Sequence, residues 1–252
     1  LPKTVIKLTD EIYQKGEKEK NSPQMLKAYA WRMKYREMLN PDSLYAGLKG
    51  LEQWVKQTDQ PMDRAILHSL IAGIYANYAA NNQWQLRQRT EIVGQTPSAD
   101  IREWTANMFV EKVRTNVKEA LADSVLLLKT SSRDYIPFVE LGKTSEYYHH
   151  DLYHLLASRG IDALLQVEKL GGGYTETNAV NPVKQDIIAI YGNMLSAYKA
   201  AGLKEGYVLT ALNYLEWRRG AERYIRPLQA KGEASVLTDD TYLKALNTRS
   251  EE

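Results

Sequence analysis

Apolar residues recur along the chain at three- and four-residue intervals, and that spacing predicts amphipathic helices nearly throughout. Leu26, Tyr29 and Met33 share one face. Leu44, Leu48, Leu51 and Val55 share another. Met62, Ile66, Leu70, Ile74 and Tyr78 then run at strict four-residue spacing. Prolines punctuate this half at Pro2, Pro23, Pro41 and Pro61, each interval holding about one helix and a short turn. Ser22-Pro23 reads as an N-cap and first helical residue, and Gln60-Pro61 opens a further helix. Asn40-Pro41 closes a helix, with Asp42 or Ser43 capping the next. Short links between such helices predict αα-hairpins.

Asn81 to Ala99 reads as a long irregular connection. A fifth helix follows, capped by Ser98 or Asp100, with Ile101, Trp104, Met108, Val113, Val117 and Leu121 on one face. Thr130 to Thr144 reads as a short helix and a loop. The next helix carries Leu152, Leu155, Leu156, Leu164 and Leu165 and is interrupted by Gly160. Gly171-Gly172-Gly173 is the strongest breaker and the best internal boundary. Asn181-Pro182 opens a helix bearing Val183, Ile187, Tyr191, Met194 and Tyr198, which Gly202 ends. Val208, Leu212 and Leu215 mark the last one. No alternating strand pattern of convincing length occurs. The expected class is all-α: antiparallel helix hairpins stacked as a superhelix of the tetratricopeptide type. The expected division is a hairpin region over 1–170 and a C-terminal hairpin over 174–252, packed as one continuous array.

Composition sharpens this picture. There are 17 Tyr and 5 Trp against 2 Phe, which suits half-buried positions in a thin, two-layer helical sheet. A net charge of +2, with no long run of like charges, argues against a nucleic-acid partner. The Lys15 to Lys20 stretch alternates sign and reads as a solvated helix end. With no cysteine, thiol nucleophiles, disulfides and zinc–thiolate sites are excluded from the sequence. No apolar run reaches the ~18 residues of a membrane helix. The chain opens Leu1-Pro2 without a signal peptide, so the expectation is a piece of a longer protein.

Candidate chemistry is sparse. Helical spacing would place Glu146, His150 and His154 on one face, with His149 beside them, as an H-x-x-x-H metal site. The order lacks the general base of H-E-x-x-H, and a polar solvent-facing rim is the favoured reading, with no metal expected. The triple glycine is not followed by Gly-Lys-Ser/Thr, so it reads as a turn and not a phosphate loop. There is no G-x-S-x-G elbow, and Asp239-Asp240 reads as a solvated pair. Trp84, Arg87, Arg89 and Trp104 form an aromatic–cationic group. Packing of guanidinium on indole is favoured there over ligand stacking, and Trp84 is expected to be a buried anchor. The expectation is thus no catalytic residue, no metal and no cofactor.

Several blocks carry a family resemblance. Ala65-Ile-Leu-His-Ser-Leu-Ile-Ala-Gly-Ile-Tyr75, Tyr78 and Asn82-Gln-Trp-Gln-Leu-Arg-Gln-Arg-Thr90 come first. Ile101-Arg-Glu-Trp104, Asp134-Tyr135 and Asp151-Leu-Tyr-His-Leu-Leu-Ala-Ser-Arg159 follow in order. Together they resemble the N-terminal helical region of large alpha-2-macroglobulin-like envelope proteins of Bacteroides-type bacteria. The resemblance spans about Leu1 to Leu165 and is looser from Gly171 on. Ala76 stands where the family often has tryptophan, and His154 where it often has aspartate. The resemblance implies export to the periplasm or cell envelope and macroglobulin-type β-sandwich domains beyond Glu252. It also implies protease trapping or inhibition by the whole protein, with this region as a non-catalytic scaffold or docking module that meets protein partners. The alternative is a free-standing helical-repeat adaptor for a peptide or protein.

Overall fold

The computed structural model describes residues 2–90, 98–143, 145–170 and 181–225. Ten α-helices lie among them: α1 (Pro2–Glu19), α2 (Ser22–Leu39), α3 (Ser43–Gln57), α4 (Pro61–Asn81), α5 (Gln83–Arg87), α6 (Ala106–Ala120), α7 (Ser124–Lys129), α8 (Leu152–Glu168), α9 (Pro182–Ala201) and α10 (Lys204–Ile225). Extended pairing among the described residues is limited to one antiparallel bridge, Ser131 with Asp151. None of the described helices is long and apolar enough to cross a membrane.

α4 is the central element because it is apolar almost all round. Ile66, Leu67, Ile71, Ala72, Tyr75, Ala76 and Ala79 are all buried. The four-residue stripe read from the sequence holds Leu70, Ile74 and Tyr78, which are only partly buried. A second stripe, Leu67, Ile71 and Tyr75, takes the deeper positions. α4 packs against α3, α6 and α8, and α6 and α8 also touch each other. The α9–α10 hairpin joins the α4, α6 and α8 trio through α9, and the α1–α2 hairpin joins it through α3. In α9 the periodic residues Val183, Ile187, Tyr191, Met194 and Tyr198 are all buried, as the spacing predicts.

Helix ends follow local chemistry. Pro61 opens α4, and Asn181 caps α9 through the Val183 amide. Gly202 closes α9 at a φ of 70°, the left-handed conformation that glycine tolerates best. The cap of α2 is Asn21 and not Ser22, because the Asn21 side chain reaches the Gln24 amide at 3.1 Å. Ser22 is the first helical residue.

Three boundaries differ from the sequence expectation. The fifth predicted helix is delayed: Asp100 caps only a 3-10 turn over Ile101–Glu103, and α6 begins at Ala106. Trp104 therefore lies before the helix, where its indole Nε1 donates to the Ser98 carbonyl at 2.7 Å. The predicted loop from Asn81 contains the short helix α5. α7 was not expected; Asp123 caps it through the Leu126 amide. The stretch from Thr130 holds a 3-10 turn, Ser132–Tyr135, and a loop, as expected.

Gly160 does not interrupt α8, which runs through it. A Cβ there would lie 2.8 Å from Val117 Cγ1, so the glycine permits close approach of α8 to α6. Gly171 to Gly173 and Asp239-Asp240 lie outside the described residues.

Candidate functional site

The densest polar constellation gathers where the chain enters α8. Residues 130–132 run beside residues 149–152: the Ser132 amide donates to the His150 carbonyl at 3.0 Å, and the Leu152 amide to the Thr130 carbonyl at 2.9 Å. The Ser132 hydroxyl donates to the His149 carbonyl at 2.7 Å. His149 adopts a φ of 58°, in the left-handed region, and there the chain turns before α8. Its two neighbouring rings thereby take different partners. His149 Nε2 lies 2.6 Å from the Ser158 hydroxyl, and His150 Nε2 lies 3.1 Å from Asp151 Oδ2.

Asp151 caps α8. Its Oδ1 accepts from the His154 amide at 2.8 Å, satisfying a donor that the helix start leaves unpaired. One turn on, the His154 side chain folds back so that Nδ1 faces both carboxylate oxygens, at 3.0 and 2.8 Å. Its Nε2 lies 3.1 Å from the Met194 carbonyl on α9. The Tyr198 ring stacks on the imidazole at 3.6 Å between centroids, and the Tyr198 hydroxyl meets the His149 amide at 3.2 Å. Asp151, His154 and Tyr198 are buried, whereas His150 is partly exposed. Burial, reinforced by the nearby His154, pulls the His149 pKa down to about 4, against an opposing pull from Asp151. Burial is also the main cause lowering His150 and raising the Tyr198 phenol.

This geometry corrects both the grouping drawn from spacing and the solvent-facing rim favoured for it, because His154 is buried. Glu146, His150 and His154 do not share a helical face, because the helix starts only at Leu152. Glu146 is exposed and pairs with Arg133 at 3.6 Å. Asp151 takes the third place instead, and the donor atoms of His150, Asp151 and His154 lie within 4.8 Å of one another. The sequence signals Asp151 only as a helix-capping residue before an apolar run, and spacing alone does not join it to the histidines.

The aromatic–cationic group also divides. Trp104 is buried, stacks on Tyr75 at 5.3 Å and offers its carbonyl to Arg89 Nη1 at 2.5 Å. Trp84 is 71% exposed, so the expected anchor role is wrong. α5 is about one and a half turns long and reaches its neighbours with one face. Leu86 occupies that face at 1% exposure, and a residue two positions away points elsewhere. Arg87 meets only Gln83, at 3.5 Å, among the bonds seen on α5.

A groove of about 560 Å³ opens between α6, α8 and α9, lined by Arg114, Lys118, Tyr153, Asp186 and Asn193 among others. Arg114 Nε holds Asp186 Oδ2 at 2.5 Å and Arg114 Nη1 holds Glu111 at 2.8 Å, so its charge is balanced within the groove wall. Burial raises the Tyr153 phenol, with a hydrogen bond to Asn193 acting the other way. A smaller hollow of about 200 Å³ lies over Tyr75 and Trp104. Glu52 lines it, accepting from the Tyr75 hydroxyl at 3.1 Å and pairing with Lys112 at 2.7 Å.

The chain matches no protein-family profile, no curated protein and no solved structure.

Proposed function

We propose that this chain is a non-catalytic helical scaffold or docking module of a large, exported alpha-2-macroglobulin-like envelope protein, whose full-length form traps or inhibits proteases. The observation that carries the reading is where the resembling blocks fall. Tyr75 and Trp104 stack on each other between α4 and α6. Tyr135 bonds to Asp63 at the start of α4. Asp151 caps α8, and Tyr153 lines the groove beside α9. Each block holds a junction between helices, which is the pattern of a framework built to present surfaces.

The local pairing of α1 with α2 and of α9 with α10 favours the superhelical arrangement of the tetratricopeptide type. Partners are proteins: neighbouring domains of the same chain, proteases or other envelope components. The test is the complete open reading frame and the domains it encodes after Glu252. Macroglobulin-type β-sandwich domains there support the reading, and a frame without them overturns it.

A free-standing adaptor is the second reading, and the groove between α6, α8 and α9 is the observation in its favour. A peptide-binding adaptor would lose its partner on Tyr153→Ala or Asn193→Ala. A docking module that acts through other surfaces would not.

A further inference from the structure

His154 makes an unusual demand on its surroundings. Its Nε2 faces the Met194 carbonyl, which only accepts hydrogen bonds. A neutral ring has one N–H for two acceptors, and the arrangement that gives it to Met194 puts the proton on Nε2. Nδ1 is then left with a lone pair aimed at Asp151, 3.0 and 2.8 Å from the two carboxylate oxygens. A lone pair against a carboxylate is repulsive, and a positive charge must lie between them. A proton meets that need and gives an imidazolium–carboxylate pair. A divalent cation meets it as well.

Three features favour the cation. A metal-binding histidine commonly donates its other ring N–H to a backbone carbonyl, which fixes both tautomer and orientation; His154 does this with Met194, and Tyr198 clamps its ring. An imidazolium–carboxylate pair needs one ring, yet His150 brings a second nitrogen to the same Asp151 oxygen, at 3.1 Å. The other nitrogen of His150, Nδ1, is buried without a hydrogen-bond partner, so His150 lacks the outer contact that His154 has. Asp151 also divides its labour. Oδ1 takes the His154 amide as helix cap, and Oδ2 is the oxygen that His150 and His154 approach most closely.

We propose that His150 Nε2, Asp151 Oδ2 and His154 Nδ1 form a divalent metal site of the zinc class at the start of α8. Two imidazoles and one carboxylate suit zinc, whereas magnesium and calcium take mainly oxygen ligands. Around tetrahedral zinc, bonds of about 2.0–2.2 Å set ligand atoms about 3.3 Å apart. The two contacts to Oδ2 need open by a few tenths of an ångström from 3.1 and 2.8 Å, and the two ring nitrogens, which lie within 4.8 Å of each other, need close toward the same spacing. The His150 side chain is 31% exposed, which leaves that flank open for ion entry and a water ligand. The ion would fasten the turn at 149–151 to α8 and, through His154 and Met194, to α9. Glu146, the carboxylate suggested by spacing, has no place in it.

The test uses the full chain, stripped with a chelator and titrated with zinc chloride by calorimetry and with cobalt(II) by visible absorption. The expected result is one ion per chain, tetrahedral cobalt bands and a raised melting temperature. His150→Gln should weaken binding by about tenfold or more. Asp151→Asn should abolish it while keeping an N-cap, since asparagine also caps helices. His149→Gln is the control, because its Nε2 is held by Ser158, and it should leave affinity within about twofold. Absence of stoichiometric zinc binding by the folded chain overturns the proposal and leaves a proton between His154 and Asp151. Binding that survives both His150→Gln and Asp151→Asn overturns it too.

Discussion

The Tyr135 hydroxyl donates to Asp63 Oδ1 at 2.9 Å, joining residues 72 positions apart inside the protein. Asp63 is 4% exposed and sits in the first turn of α4, where the helix dipole favours a negative charge. Tyr135 is 8% exposed, and burial, then the Asp63 charge, raises its phenol well above the usual range. The bond ties the turn before α8 to the central helix. Tyr135→Phe keeps the ring and removes the donor, leaving a buried carboxylate oxygen without its partner. The expected loss is about 1–3 kcal/mol, read as a lower urea midpoint at unchanged slope.

Trp84 and Trp104 should behave oppositely. Trp84 is on the surface, so Trp84→Ala should change stability by no more than about 0.5 kcal/mol. Trp104 stacks on Tyr75, meets Phe109 at a tilt and is 8% exposed; Trp104→Ala should cost about 3–5 kcal/mol. Melting curves of the two variants decide this. Equal losses would mean that the placement of α5 is wrong.

Gly160 sets the spacing of α6 and α8. Helix propensity alone would make Gly160→Ala stabilising by about 1 kcal/mol. The added Cβ meets Val117 at 2.8 Å, and Val117 is itself fully packed at 3% exposure. Overpacking of this kind costs about 1–3 kcal/mol, so the net effect should be a loss. The double variant Gly160→Ala with Val117→Ala should recover part of it in thermal unfolding.

The surroundings of His149 give a direction for acid sensitivity. Its pKa falls from 6.5 to about 4 on folding, through burial and then His154, with Asp151 opposing. Between those values the unfolded chain binds the proton and the folded chain does not. Stability is therefore full above pH 6.5 and is lost as pH falls toward 4, by up to about 3 kcal/mol from this group. His150 shifts in the same direction and adds to the loss. The groups facing His149 are Ser158, Tyr148, Tyr198, His154 and Asp151. Unfolding free energies between pH 7.5 and 4.5, compared with His149→Gln, measure the slope. A wild-type slope equal to that of the variant would contradict the assignment.

The helices were legible because their signal is local. Five periodic residues of α9 are all buried, with Asn181 before them and Gly202 after. What failed was information set by distant partners. Nothing near Trp84 announces that Leu86 takes the inner face of α5. The start of α6 was displaced because Trp104 is held by Ser98, Arg89 and Tyr75 in a non-helical conformation, overriding an apolar period that ran smoothly through it. The histidine cluster was misread for a related reason. Four-residue spacing implies one face only inside a helix, and Asp151 starts that helix between His150 and His154. Propensity makes Gly160 a weak point, whereas its meaning lies in Val117, 43 residues away in sequence.

If this helical section is, as proposed, a docking module of a larger trapping protein, its removal should spare the trap and cost the attachment. The most direct measurement compares the full-length protein with a form lacking residues 1–252, each challenged with a broad-specificity protease. Trapped or inhibited protease and attachment at the cell envelope are read in parallel. The shortened protein should still fold and trap protease but lose its attachment. Trapping abolished in a shortened protein that remains folded, with attachment intact, would contradict it.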